Sequence, residues 1–142
     1  MKILPINFLL IIFFTLETLG LDAQSPSDIL GTWLTEEKEA KIEIYQNSDG
    51  ETYSGKIIWL ENPYGKDGNP RKDENGNLVL NMVNLKNFVY DDGEWIDGTV
   101  YDPKSGSTYY CTISLDSEDT LKVRGSVDPM GWIGRTSYWT RL

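Results

Sequence analysis

The chain has 142 residues, of which 13 are basic and 22 acidic, with no histidine and a single cysteine. A net charge of −9 argues against nucleic acid and against anionic membrane surfaces as partners, because both select basic patches. Without histidine, Ser-His-Asp and Cys-His catalysis and His-based zinc or haem sites are excluded, and one cysteine cannot form an intrachain disulfide.

Met1-Lys2 gives a short positive start, and Phe8 to Leu16 is apolar apart from Thr15. That run is too short to span a bilayer and has no basic stop-transfer flank, so it reads as the core of a signal peptide. Leu21-Asp22-Ala23 precedes Gln24, which places cleavage after Ala23. No cysteine lies near that point, which argues against a lipid anchor. The expectation is an exported protein, periplasmic or secreted, with no membrane span after cleavage. Losing Lys2, Glu17 and Asp22 with the leader leaves 12 basic and 20 acidic residues, a net charge of −8, on 119 residues. That length is one domain, 24–142, able to bury a core without staples.

Ser25-Pro26-Ser27-Asp28 can cap one helical turn through Ile29-Leu30. The remainder reads as strands rich in β-branched and aromatic residues, broken by Gly, Asn, Asp and Pro. The first strand falls at about 31–35. The second, 40–46, alternates Ile42 and Ile44 with Lys41 and Glu43. Asn47-Ser48-Asp49-Gly50 turns the chain, since Asp-Gly supplies the positive φ a hairpin needs. The third strand is 51–60.

A polar stretch from Glu61 to Leu80 follows, too dense in Gly, Asn and Pro for a regular element. A loop this long in a small domain is a functional lid or a disordered segment. Further strands fall within 84–90 and at 94–101, 107–115, 120–126 and 135–141, with turns at 91–93, 102–106 and 117–119 and a loop at 127–134. No amphipathic helical run occurs. The fold class is therefore all-β: an eight-stranded antiparallel up-and-down barrel with a short N-terminal helical turn.

Hairpin order assigns each connection to an end. The N-terminal turn, 47–50, 91–93, 116–119 and the C-terminus share one end, which is tight. Loops 36–39, 61–83, 102–106 and 127–134 share the other, which is the expected mouth. Gly31-x-Trp33 opens the first strand and Arg141 closes the last, at the tight end. An arginine plane over that indole would seal a barrel floor, an arrangement that resembles the structural signature of lipocalins.

A second resemblance covers nearly the whole mature chain. Gly55-Lys56-Ile57-Ile58-Trp59-Leu60, Asn69-Pro70, Asp97-Gly98-Thr99-Val100-Tyr101-Asp102-Pro103 with Gly106 and Tyr109, Leu121-Lys122-Val123-Arg124-Gly125, Gly134-Arg135-Thr136 and Trp139-Thr140-Arg141 occur in that order. In this the chain resembles domain-of-unknown-function family 2147, small exported bacterial proteins. The resemblance implies a lipocalin-like barrel and supplies no activity. Arg71-Lys72-Asp73-Glu74-Asn75-Gly76 departs from the family's spacing of basic residues.

Chemistry is sparse. Asp67, Asn69, Asp73 and Asn75 carry oxygen ligands suited to calcium, but Arg71 breaks the D-x-[DN]-x-[DN]-G frame, so a solvated loop is the default. The acids form no recognisable glycosidase pair, and neither a nucleophile motif nor a phosphate loop is present. No enzyme activity and no cofactor are expected. Cys111 lies in an apolar strand and reads as a buried thiol, the alternative being an intermolecular disulfide. Arg124 alternates with Leu121 and Val123, so it should point outward.

The aromatic residues are the better lead. Trp59, Tyr101, Tyr109 and Arg135 fall at the mouth end of their strands, and Trp132 lies in a mouth loop with Met130 and Ile133. One reading has these five grip a small apolar or amphipathic ligand, with Arg135 pairing a carboxylate and 61–83 as a flap. The other has the aromatics fill a solid barrel, whose outer face binds an envelope glycan or protein through Tyr64, Trp95 and Tyr138.

Overall fold

The computed structural model describes residues 24–142. The signal-peptide reading of 1–23 lies outside the described residues. A 3-10 turn, Pro26–Ile29, leads into β1 (Gly31–Leu34), β2 (Ala40–Gln46), β3 (Thr52–Leu60), β4 (Val83–Asp91), β5 (Glu94–Asp102), β6 (Ser107–Ser117), β7 (Thr120–Ser126) and β8 (Gly134–Arg141). Each strand pairs antiparallel with the next, and β8 returns to β1 through Trp33↔Arg141 and Leu34↔Thr140, so the sheet closes as a barrel. The eight strands expected from sequence are all present, within a residue or two at their ends. Among the described residues no helix is long and apolar enough to cross a membrane.

The turns follow from their residues. Asp91 pairs with Glu94 across Asp92-Gly93, whose φ values of 46° and 86° make the two-residue hairpin that Asp-Gly favours. Period-two alternation sends Ile42, Ile44, Val100, Cys111, Ile113, Leu121, Val123 and Trp139 inward, and Arg124 outward. Cys111 is buried, and desolvation pushes its thiol up to about 12, so it is a core residue with negligible thiolate at neutral pH.

Bulges bend the sheet into its cylinder. Ile42 pairs with Ile57 while Lys41 pairs with Trp59, which leaves Ile58 as an extra residue in β3. Gly55 pairs with Leu85 while Lys56 pairs with Val83, which leaves Asn84 extra in β4. Each resets which face the neighbouring side chains take.

The tight end is a built floor. Arg141 stacks its guanidinium 4.2 Å from the centre of the buried Trp33 ring. Trp33 Nε1 donates to the Ile29 carbonyl at 3.0 Å and Trp95 Nε1 to that of Pro26 at 3.2 Å, so two indoles hold the N-terminal turn across the barrel end. Both indoles are fully buried, as are Phe88, Leu85, Ile113 and Leu121, which fill this half of the interior.

Candidate functional site: the mouth-side cavity

The other half is hollow. A cavity of about 1220 Å³ opens at the mouth. Its deep wall is apolar, built by Ile42 of β2, Ile57 of β3, Val100 of β5, Val123 of β7 and Trp139 of β8, with Tyr109 and Ser137 among them. Eight strands leave an interior that can be packed or can hold one small ligand. Here it is divided between the two: Trp33, Trp95, Phe88 and Leu85 stay out of the cavity wall, where Val100, Val123, Ser137 and Gly125 leave space among the larger side chains.

The long loop, 61–82, is ordered over this mouth as two successive turns, bridged at Tyr64↔Pro70 and Lys72↔Leu78. Short-range chemistry builds both. Asp67 Oδ1 accepts the N–H of Asn69, and Asp73 Oδ1 accepts those of Asn75 and Asn77, while Gly68 and Gly76 take the positive φ each turn requires. The carboxylates considered for calcium are thus spent on turn N–H groups. The loop is then fastened to the barrel. Val79 is buried in the core, Asn81 N–H donates to the Ile57 carbonyl at 2.7 Å, and Tyr101 O–H donates to Asp73 Oδ2 at 2.8 Å.

Asp73 makes this fastening pH-dependent. Its carboxyl is held below the ordinary carboxylate range, first by the Asn77 N–H and, against the opposing effect of desolvation, by Tyr101. A carboxyl lowered on folding stabilises the folded loop above its unfolded pKa of about 4 and loses that contribution as pH falls through the lowered value. Protection of the Asn75 and Asn77 amides from hydrogen exchange should therefore fall as pH is taken from 5 to 2, roughly, while core amides such as Ile113 keep theirs. Uniform loss would place the effect elsewhere.

Both signs of charge line the rim. Glu36, Glu37, Glu39, Glu74 and Asp102 face Arg71, Lys72, Lys104 and Arg135. Arg135 pairs with Glu37 at 3.3 Å and Lys104 pairs with Glu39. These pairs are solvent-exposed and weak. Among the described residues Arg71 and Lys72 make no ion pair within 4.0 Å.

Of the five residues expected at a ligand site, the structure brings two into the cavity wall, Tyr109 and Arg135. Trp59 lies on the outside of the barrel under Lys41, whose ammonium is 4.7 Å from its ring. The Ile58 bulge is the reason, since it breaks the parity that would carry Trp59 inward. Tyr101 faces outward beside the inward Val100 and serves the loop through Asp73. Trp132 is 80 % exposed at the mouth rim. Its loop is nonetheless fixed: Asp128 accepts the N–H groups of Trp132 and Ile133, and outward Arg124 donates to the Gly131 carbonyl and to Thr136 Oγ1. Among the aromatics proposed for the outer face, Trp95 is fully buried, against expectation, because β5 turns it onto Tyr90 and the N-terminal turn. Tyr64 and Tyr138 are exposed.

Sequence reasoning missed Asn84. This side chain is 8 % exposed and lines both the cavity and the groove between β4, β5 and the loop. Its Oδ1 is buried with no hydrogen-bond partner, alone in this among the described residues. An unmet buried acceptor costs about 1–3 kcal/mol, so its persistence calls for an explanation.

A closed eight-stranded barrel with a stacked Arg–Trp floor is a lipocalin-like fold. Its sequence places it in a particular family. Residues 31–141 match the family described as "Uncharacterized protein conserved in bacteria (DUF2147)", and the chain belongs to it. Among solved structures it is similar to one described as "Protein HP1028 from the human pathogen Helicobacter pylori belongs to the lipocalin family". The two share 22 % identity at a TM-score of 0.62, over 80 % of this chain and 82 % of that one. This likeness is one of fold. No curated protein matches the chain.

Proposed function

We propose that this protein binds a small apolar or amphipathic molecule in the mouth-side cavity. The observation that carries the reading is the cavity itself: apolar walls, a few convergent polar groups and a charged rim, as small-molecule sites have. The reading is of binding rather than catalysis. It includes export, with cleavage after Ala23, which N-terminal sequencing of protein from the producing cell tests directly.

Binding is tested with N-phenyl-1-naphthylamine, a dye that fluoresces in apolar surroundings. Wild-type protein should enhance its fluorescence saturably at micromolar dye. Gly125→Phe should weaken binding about tenfold or more. A Cβ at Gly125 meets Val100 Cγ1 at 3.4 Å and Tyr109 Cβ at 3.7 Å, ordinary contacts, so the ring would extend into the cavity. Equal binding by a folded Gly125→Phe protein, or none by wild type, would defeat the reading.

The exposed rim loop favours a second reading, an envelope contact through the outer face. Met130, Trp132 and Ile133 are 77 %, 80 % and 68 % exposed side by side, an apolar tip of the kind that marks interaction sites.

A further inference from the structure

We infer that the cavity selects a ligand bearing a hydroxyl or amide N–H, and that Asn84 is the residue that recognises it. The inference rests on the binding reading above and names the class of molecule bound. It starts from the β4 bulge. The ladder steps from Gly55↔Leu85 to Lys56↔Val83, so Asn84 has no residue opposite it and its side chain leaves the in-out alternation of the strand. The bulge re-aims it to where the upper cavity wall meets the loop.

Its Oδ1 is buried there and unpaired. No described group donates to it. Val79 and Ile57 of the same wall are apolar, the Ile57 N–H is taken by the Met82 carbonyl, and Asp73 is an acceptor already engaged with Asn75, Asn77 and Tyr101. A molecule that enters the cavity can supply the missing donor. A hydroxyl donates and accepts, as does a secondary amide, so either satisfies a carboxamide. A hydrocarbon, an ether or an ester carries no donor and leaves Oδ1 unmet. A site built around a buried polar group rejects analogues that lack its complement far more strongly than it discriminates among methylenes.

Two isomers isolate this effect. 1-Decanol and methyl nonyl ether share one formula and chain length, and only the alcohol has a donor. Each is measured by displacement of N-phenyl-1-naphthylamine from the full mature protein and from Asn84→Leu, which keeps the side-chain shape. Wild type should bind the alcohol about tenfold more tightly than the ether. Asn84→Leu should reduce that preference to within about twofold. Its apo form should melt no lower than wild type, since the orphaned acceptor is gone. Equal affinities for the two isomers in wild type would overturn the inference while the binding reading stands, and that comparison needs no variant. A preference that survives in Asn84→Leu would overturn it too, as would a water that fills the site in the alcohol complex and leaves the hydroxyl elsewhere. If neither isomer nor the dye binds, the binding reading itself fails.

Discussion

Gly98→Ala should destabilise the barrel by about 3 kcal/mol, as severe overpacking does. Gly98 lies in β5 opposite Cys111, beside the buried ring of Phe88. An added Cβ would sit 2.4 Å from two atoms of that ring and 2.5 Å from a third, well inside any van der Waals contact. Phe88 is 1 % exposed in the filled half of the barrel, so it has no space into which to turn. The glycine is needed for close approach, since the ring occupies the place of its side chain. At about 5–15 kcal/mol of total stability, the loss is a large fraction, visible as a drop in the denaturation midpoint at unchanged slope. The cause is checked by a cycle. Phe88→Ala alone costs about 3–5 kcal/mol through the cavity it leaves. Combined with Gly98→Ala, the clash disappears, and the double variant should be more stable than the sum of the two by about 2 kcal/mol. Strict additivity would show that the methyl is accommodated without displacing the ring.

Why the fold was legible and the site only partly so can be seen in single residues. Strand positions follow from local patterns that the tertiary structure reinforces: Asp92-Gly93 is a hairpin turn by its own torsional preferences, and Ile42 and Ile44 alternate with polar neighbours. The floor was legible because Trp33 and Arg141 lie at the two ends of a closed ladder, which the strand count fixes. The mouth was legible as an end of the barrel, not as a surface. Strand order says that Trp59 and Tyr101 lie at that end, whereas the face each takes depends on register. For Tyr101 the inward Val100 beside it carried the signal. For Trp59 a bulge at Ile58 inverted the parity, and a bulge depends on how two strands meet, which neither strand encodes alone. Asn84 was missed for the same reason: between Val83 and Leu85 it reads as an outward polar residue until the step opposite Gly55 and Lys56 re-aims it. The long loop showed its turn residues but not its order, which comes from the burial of Val79 and the reach of Tyr101 to Asp73. The hollow half depends on how much volume eight strands enclose, and no local pattern records that.

Arg141→Leu should cost about 2–4 kcal/mol, a range for lost charge-assisted hydrogen bonds discounted for partial exposure. The guanidinium joins two segments distant in sequence, the β6–β7 turn and the N-terminal turn. Nε donates to the Glu118 carbonyl in the β6–β7 turn at 2.9 Å, Nη1 to that of Leu30 at 3.0 Å and Nη2 to that of Asp28 at 2.6 Å, while the plane covers Trp33. Leucine keeps apolar contact with the indole and removes all three donors, so the N-terminal turn loses its hold on the β6–β7 hairpin. Lysine keeps the charge but replaces a planar fork with a point donor on a flexible stem. Arg141→Lys should therefore restore less than half of the loss, and near-complete rescue would show that charge alone suffices. Binding separates this role from the mouth. A layer of buried side chains, Trp95, Phe88 and Ile113, stays out of the cavity lining, and so does Arg141. Below its melting temperature Arg141→Leu should bind the naphthylamine dye with wild-type affinity, whereas Gly125→Phe should lose the dye. A floor variant that stays folded yet loses the dye would mean that the two halves are coupled through that layer, and that the interior works as one chamber.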